Sequence, residues 1–151
     1  MRQMNDVIIR QATADDVPSI LRLYSLAGIS DDNNFTIEEA RDHFNKLSQY
    51  PNFRVYVALR GDTVLGTYEL LIMDNLAKRG SKSGIVEDVA VDPSFHRQGI
   101  GRSMMEHARE KCREEGCYKL TLSSNLIRED AHRFYEALGF VRHGYSFCMR
   151  P

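Results

Sequence analysis

Between Asp92 and Glu106 the chain reads DPSFHRQGIGRSMME, with two glycines one residue apart and arginines on either side. Glycine is a poor helix former, yet this run follows a strand-like segment, EDVAV, and opens a helical one. At a helix start the backbone N–H groups, here of Gln98 to Arg102, lack intrahelical partners and face outward with the positive end of the helix dipole. Gly99 and Gly101 keep side chains off that surface, and Arg97 and Arg102 add positive charge. The spacing suits a bulky anion, a pyrophosphate in particular. The competing reading is a glycine-relaxed strand-to-helix turn with solvated arginines, because a lone G-x-G has low specificity. Two other phosphate motifs are excluded. Met104 stands where a dinucleotide-binding fold needs its third glycine, and no G-K-[ST] follows.

The elements that position this turn follow from periodicity and capping. Val7 to Arg10 reads as a strand, and TADDVPSILRLYSLAG as a helix capped at Thr13 and ending near Gly28. TIEEARDHFNKL repeats the design: Thr36 and Glu39 form a capping box, Ile37, Ala40, Phe44 and Leu47 share a face, and Pro51 stops it. Two strand-like runs flank the Gly61-Asp62 turn, and GIVEDVAV is a further strand. Then come a helix from Gly101 to Glu115, a strand from Tyr118 to Ser123 and a helix from Ala131 to Leu138. Strands at Phe140 to Arg142 and Tyr145 to Met149 close the chain. The expected order, β-α-α-β-β-β-α-β-α-β-β, is an α/β fold: a mixed, mostly antiparallel sheet with helices on both faces. With 151 residues, 42% of them hydrophobic, one domain is expected over 1–151.

Composition narrows the partners. Twenty basic and 21 acidic residues leave a net charge of -1, with no basic footprint for nucleic acid. The opening MRQMNDVIIRQ lacks the apolar core of a signal peptide, and no apolar run approaches the ~20 residues of a membrane span, so a cytoplasmic protein is expected. Cys112, Cys117 and Cys148 have neither zinc-finger nor redox spacing and read as buried free thiols. His43, His107, His132 and His143 show no metal-ligand spacing, so no metal is expected.

VEDVAVDPSFHRQGIGRSMM, followed by GCYKLTL and then DAHRFYEALGF, resembles the GNAT superfamily of acyl-coenzyme A-dependent N-acetyltransferases over essentially the whole chain. The resemblance implies acetyl-coenzyme A as co-substrate. Its pantetheine arm would run beside Val89, Ala90 and Val91, and its pyrophosphate would be wrapped by Arg97, Gln98, Gly99, Ile100, Gly101 and Arg102. His96 replaces the glutamine or arginine usual three residues before the first glycine. Arg128 stands where an asparagine often does, which leaves Asn125, three residues earlier, as a displaced candidate for the cofactor.

Acyl transfer to an amine requires a proton acceptor, because an amine with pKa near ~10 is protonated at neutral pH. The resemblance places a glutamate at Glu87 in some members. Strand alternation sets it on the side of Val89 and Val91, with Asp88 pointing the other way; structural acids at a strand start are the alternative. A backbone N–H near Val89 would stabilise the oxyanion if the strand splays from its neighbour. The departing thiolate needs a proton, and Tyr135 flanks the Ala131, Phe134 and Leu138 stripe of its helix, where the family carries a tyrosine.

For the acceptor, GIVEDVAV with GCYKLTL is similar to glucosamine-6-phosphate N-acetyltransferases, and LSSNLIREDAHRFY to aminoalkylphosphonate N-acetyltransferases. Lys78, Arg79 and Lys82 suit a phosphate or carboxylate. Asp88 and Asp31, the latter in the SDDNN loop, suit an ammonium. The expected function is acetyl transfer to a small primary amine in a ternary complex, in a homodimer paired through the C-terminal strands. Protein N-acetylation and an acyl-coenzyme A sensor without turnover are the alternatives, and the presence of both Glu87 and Tyr135 argues for an enzyme.

Overall fold

The computed structural model describes residues 6–30 and 35–151. The Asp31 candidate lies outside them. The chain divides into two compact units, residues 1–121 and 122–151.

The first unit opens with β1 (Val7–Gln11) and a 3₁₀ turn at Ala14–Asp16 that leads into α1 (Val17–Ala27). The Asp16 carboxylate accepts the Thr13 N–H at 2.8 Å and grips Arg10 at 2.7 and 2.9 Å. Gly28 ends α1 in the left-handed region (φ 69°). The capping box expected at α2 (Ile37–Leu47) is formed, with Glu39 N–H on Thr36 Oγ1 and Thr36 N–H on Glu39 Oε2. Of its anticipated apolar face only Ala40 is buried, and Ile37 is exposed.

β2 (Phe53–Arg60) and β3 (Thr63–Met73) flank the expected two-residue turn, and β4 (Ser83–Val91) pairs antiparallel with β3. α3 (Ile100–Glu114) then leads to β5 (Lys119–Leu122), completing the sheet order β1-β2-β3-β4-β5. One face of the sheet carries Val55, Val57, Leu59, Val64 and Ala90 into a core with Ile20 and Leu23 of α1. The other receives α3: a Cβ on Gly66 would lie 2.8 Å from Met104 Sδ, and one on Gly84 2.2 Å from Cys112 Sγ. These two glycines let the helix lie close on the sheet.

In the second unit, α4 (Glu129–Ala137) has no fully buried residue, so the stripe of Ala131, Phe134 and Leu138 is only half-buried. Residues 140–151 form neither of the two expected strands, and Val141, Tyr145, Phe147 and Met149 are exposed. Their alternation suits a strand, but a strand needs a ladder partner, which local pattern does not supply. The three cysteines are free, though Cys112 alone is buried and Cys148 is exposed.

Candidate active site at the β4 bulge and the start of α3

Along β3 and β4 the partners run Leu70 with Val86 and Glu69 with Glu87, then Thr67 with Ala90 and Gly66 with Val91. Two steps on β3 therefore match three on β4, so Asp88 and Val89 together oppose Tyr68. This is a β-bulge. Asp88 sits at φ 48°, the left-handed region that costs a non-glycine residue about 1 kcal/mol or more.

The bulge corrects the expected alternation. Glu87 shares its face with Glu69, Thr67 and Ala90, on the α1 side, whereas Val91 lies on the opposite face with Gly66. Nor does Asp88 point away from its neighbours, because its charge acts on Glu69, Glu87 and Tyr24 alike. The extra residue inverts the parity beyond it, which period-two reading does not register.

β5 runs beside the first half of β4. Tyr118 N–H donates to Lys82 O at 2.9 Å and Thr121 Oγ1 to Gly84 O at 3.4 Å, partners that advance together as in parallel strands. Starting there, a strand of four residues ends near the level of Glu87, short of the nine-residue reach of β4. The bulged half of β4 therefore outruns its neighbour.

Three carboxylates and a phenol meet at this point. The Tyr24 hydroxyl, from α1, donates to Glu69 Oε1 at 3.4 Å. Burial, and next the charge of Asp88, push the half-buried Glu69 carboxyl up to about 7, against the Tyr24 hydrogen bond, which favours its charged form. Glu87, more exposed, is raised by partial burial and by Asp88. Burial first, then Glu69 and Asp88, push the Tyr24 hydroxyl well above its ordinary range. Such a cluster attracts an ammonium and can hold a proton near neutral pH. Sequence reading named Glu87 and Asp88 and missed Glu69 and Tyr24. Glu69 lies in the strand run TVLGTYELLIM, where a single acid reads as an outward-facing residue, and Tyr24 in an ordinary helical stripe.

The glycine turn lies one short segment beyond β4. Asp92, nearly buried, accepts Ser94 N–H at 2.9 Å and caps the 3₁₀ turn Pro93–Phe95, while Arg22 of α1 binds its carboxylate at 2.9 Å. Arg97 (φ 63°) and Gly99 (φ 80°) are left-handed, and Gly99 caps α3 with no side chain bonding to its first turn. That leaves the backbone donors of a 15-residue helix to an external anion. His96, Arg97, Gln98 and Arg102 are exposed around it. Arg60, from the end of β2, donates to Gln98 Oε1 at 3.0 Å, a cation beside the cradle that sequence spacing did not reveal. Arg102 leans toward Glu106 at 3.8 Å. The donor set fits a pyrophosphate.

Other candidates lie apart. Lys78 and Arg79 are exposed in the turn between β3 and β4, both left-handed. Ser83 and Glu87 are four strand steps apart, about 13 Å at strand rise, so the turn does not adjoin the carboxylates. Lys82 is paired with Glu115 at 2.9 Å, which answers its charge locally.

In the second unit the Tyr135 ring packs edge-on against Phe134 and Phe140, and burial raises its hydroxyl pKa against the nearby Arg128. Asn125 turns its Oδ1 to Ile127 N–H at 3.1 Å, and its carbonyl accepts from Arg128 N–H and contacts His132 Nε2. Its side-chain oxygen is thus engaged in the turn that leads into α4.

The acetyltransferase (GNAT) family profile matches residues 20–140. An aminoalkylphosphonate N-acetyltransferase of Salmonella typhimurium is 30% identical over 97% of this chain and 96% of its own. A glucosamine 6-phosphate N-acetyltransferase of Trypanosoma brucei brucei is 38% identical over 53% of this chain and 52% of its own. The structure of a provisionally named acetyltransferase from Agrobacterium tumefaciens superposes with a TM-score of 0.89 at 30% identity, covering 95% of this chain and 99% of that one. Matched over residues 20–140 by the family profile and at 30% identity along nearly its whole length by a curated relative, the chain belongs to the acetyltransferase (GNAT) family and is an N-acetyltransferase.

Proposed function

We propose that this enzyme moves an acetyl group from acetyl-coenzyme A to a small primary amine by direct attack in a ternary complex, with residues 1–151 acting as one catalytic domain. The observation that carries the reading is the bulge at Asp88, which lies beside the cross-strand Glu69–Glu87 carboxylate pair and one short segment before the glycine-capped helix.

In this reading the backbone donors of Gln98 to Arg102 and the Arg97 side chain hold the pyrophosphate, and Val89 to Val91 flank the pantetheine arm. Bound acetyl-coenzyme A supplies the activated acyl carbon. Glu87 takes a proton from the acceptor, directly or through a water, Asp88 attracts its ammonium, and a backbone N–H at the bulge meets the oxyanion. Tyr135 protonates the departing thiolate. Lys78 and Arg79 would serve the anionic end of an extended acceptor. A cytoplasmic homodimer is the expected state; among the described residues no helix is long and apolar enough to cross a membrane.

The test is thiol release from acetyl-coenzyme A with a panel of 2-aminoethylphosphonate, glucosamine 6-phosphate, amino acids, polyamines and peptides. Turnover on a small amine supports the reading, and the two named relatives put the phosphonate- and phosphate-bearing amines first. Turnover on peptides alone makes it a protein N-acetyltransferase. A flat panel with tight coenzyme A binding makes it a sensor.

A further inference from the structure

We propose that Glu69 is a second catalytic carboxylate of this site: the proton that Glu87 draws from the acceptor comes to rest on the Glu69 carboxyl, which the Tyr24 hydroxyl holds in place. The inference rests on acetyl transfer to an amine, as read above, and extends it to a strand other than the one beside the cofactor.

Glu69 and Glu87 are direct partners across an antiparallel pair, so their side chains leave the same face from Cβ atoms ~5 Å apart. The geometry is polarised. Glu87 is the exposed member and meets an entering ammonium first; Glu69 is the half-buried one, held from α1 by Tyr24 and facing the negative charge of Asp88 at the bulge. Tyr24, Asp88 and Glu87 are the titratable groups that act on it, and its partner on β2, Val55, is apolar. Burial and two negative neighbours give Glu69 a proton affinity of about 7, suited to accepting and returning a proton at neutral pH.

The proton count closes. R–NH₃⁺ gives one proton to the Glu87 carboxylate and becomes R–NH₂. The Glu87 carboxyl passes that proton to the Glu69 carboxylate, directly or over one water, and regains its charge. As the N–C bond forms and the C–S bond breaks, the second proton lost by nitrogen balances the thiolate. Glu69 then gives its proton to water, so each turnover releases one proton.

The experiment is the pH profile of kcat and kcat/KM for the full chain, with acetyl-coenzyme A and the best acceptor of the panel, in wild type, Glu69→Gln and Tyr24→Phe. Glu69→Gln is expected to lower kcat ~10²-fold at pH 7, with KM for acetyl-coenzyme A nearly unchanged, and to abolish the acidic limb near pH 7. Tyr24→Phe removes a hydrogen bond that favours the charged carboxylate, so its limb moves to higher pH. A merely structural Tyr24 would leave the limb in place. Full kcat in Glu69→Gln, or an unmoved limb in Tyr24→Phe, overturns the proposal; the Tyr24 variant decides alone if Glu69→Gln does not fold. An active wild type with either result overturns the Glu69 role only, whereas a wild type that binds acetyl-coenzyme A and acetylates no amine overturns the functional reading together with it.

Discussion

Arg22 on α1 and Asp92 at the end of β4 form a 2.9 Å ion pair across 70 residues of sequence, and Arg22 also donates to the Val64 carbonyl at 3.2 Å. One side chain thus ties the carboxylate face of the sheet to the root of the glycine turn. With its hydrogen bonds to Arg22 and Ser94, Asp92 is held below the usual carboxylate range. Arg22→Met should leave this nearly buried acid with the Ser94 bond but no counter-charge. Because Arg22 is itself half-exposed, the stability loss should be modest, about 1 kcal/mol. Affinity for coenzyme A should fall several-fold as the turn loosens, and titration calorimetry checks it. Unchanged affinity would detach the ion pair from cofactor binding.

Gly99 caps α3 at φ 80°, and a branched side chain there meets both a forbidden backbone and the anion's approach path. Gly99→Val should reduce coenzyme A affinity ~10²-fold or more while circular dichroism retains the fold. Arg97→Ala should cost less, ~1–3 kcal/mol, because backbone donors remain. A folded Gly99→Val enzyme with native affinity would place the pyrophosphate elsewhere.

Tyr135→Phe keeps the ring packing against Phe134 and Phe140 and deletes the hydroxyl alone. If that hydroxyl protonates the thiolate, turnover should fall ~10²–10⁴-fold with acetyl-coenzyme A binding intact. Single-turnover kinetics separates chemistry from product release, and an unchanged chemical step would remove Tyr135 from the mechanism. Glu87→Gln should be most impaired near neutral pH and recover as the amine loses its own proton; a defect equal at every pH would leave Glu87 an orienting residue.

Glu69 also gives a stability signature. Its folded-state pKa of about 7 lies above that of an unfolded glutamate, so the folded chain holds this proton more tightly. The stabilisation from that proton is complete below the unfolded value and is lost as pH rises through 7. Glu69→Gln carries no such loss, so urea denaturation should show the variant gaining on the wild type between pH 4 and pH 8, by roughly 3 kcal/mol at most. A difference constant across that range would mean that Glu69 is not perturbed.

The sequence by itself determined what local physics encodes. Thr36 and Glu39 announced their capping box, Gly61-Asp62 its turn, and the G-x-G after EDVAV the anion-binding helix start, because caps, tight turns and glycine conformations depend on residues a few positions apart. Matched in order along the chain, those motifs also reached the acetyltransferase family. Only the tertiary structure decided the bulge at Asp88, since an extra strand residue is visible only against the partner strand. It therefore decided which side Glu87 takes, and it brought Glu69 and Tyr24, 45 residues apart, to one hydrogen bond. Residues 140–149 carry a strand's alternation and form none, for the same reason. A ladder belongs to two segments, and a pattern read along one of them specifies a face to bury but not the partner that covers it.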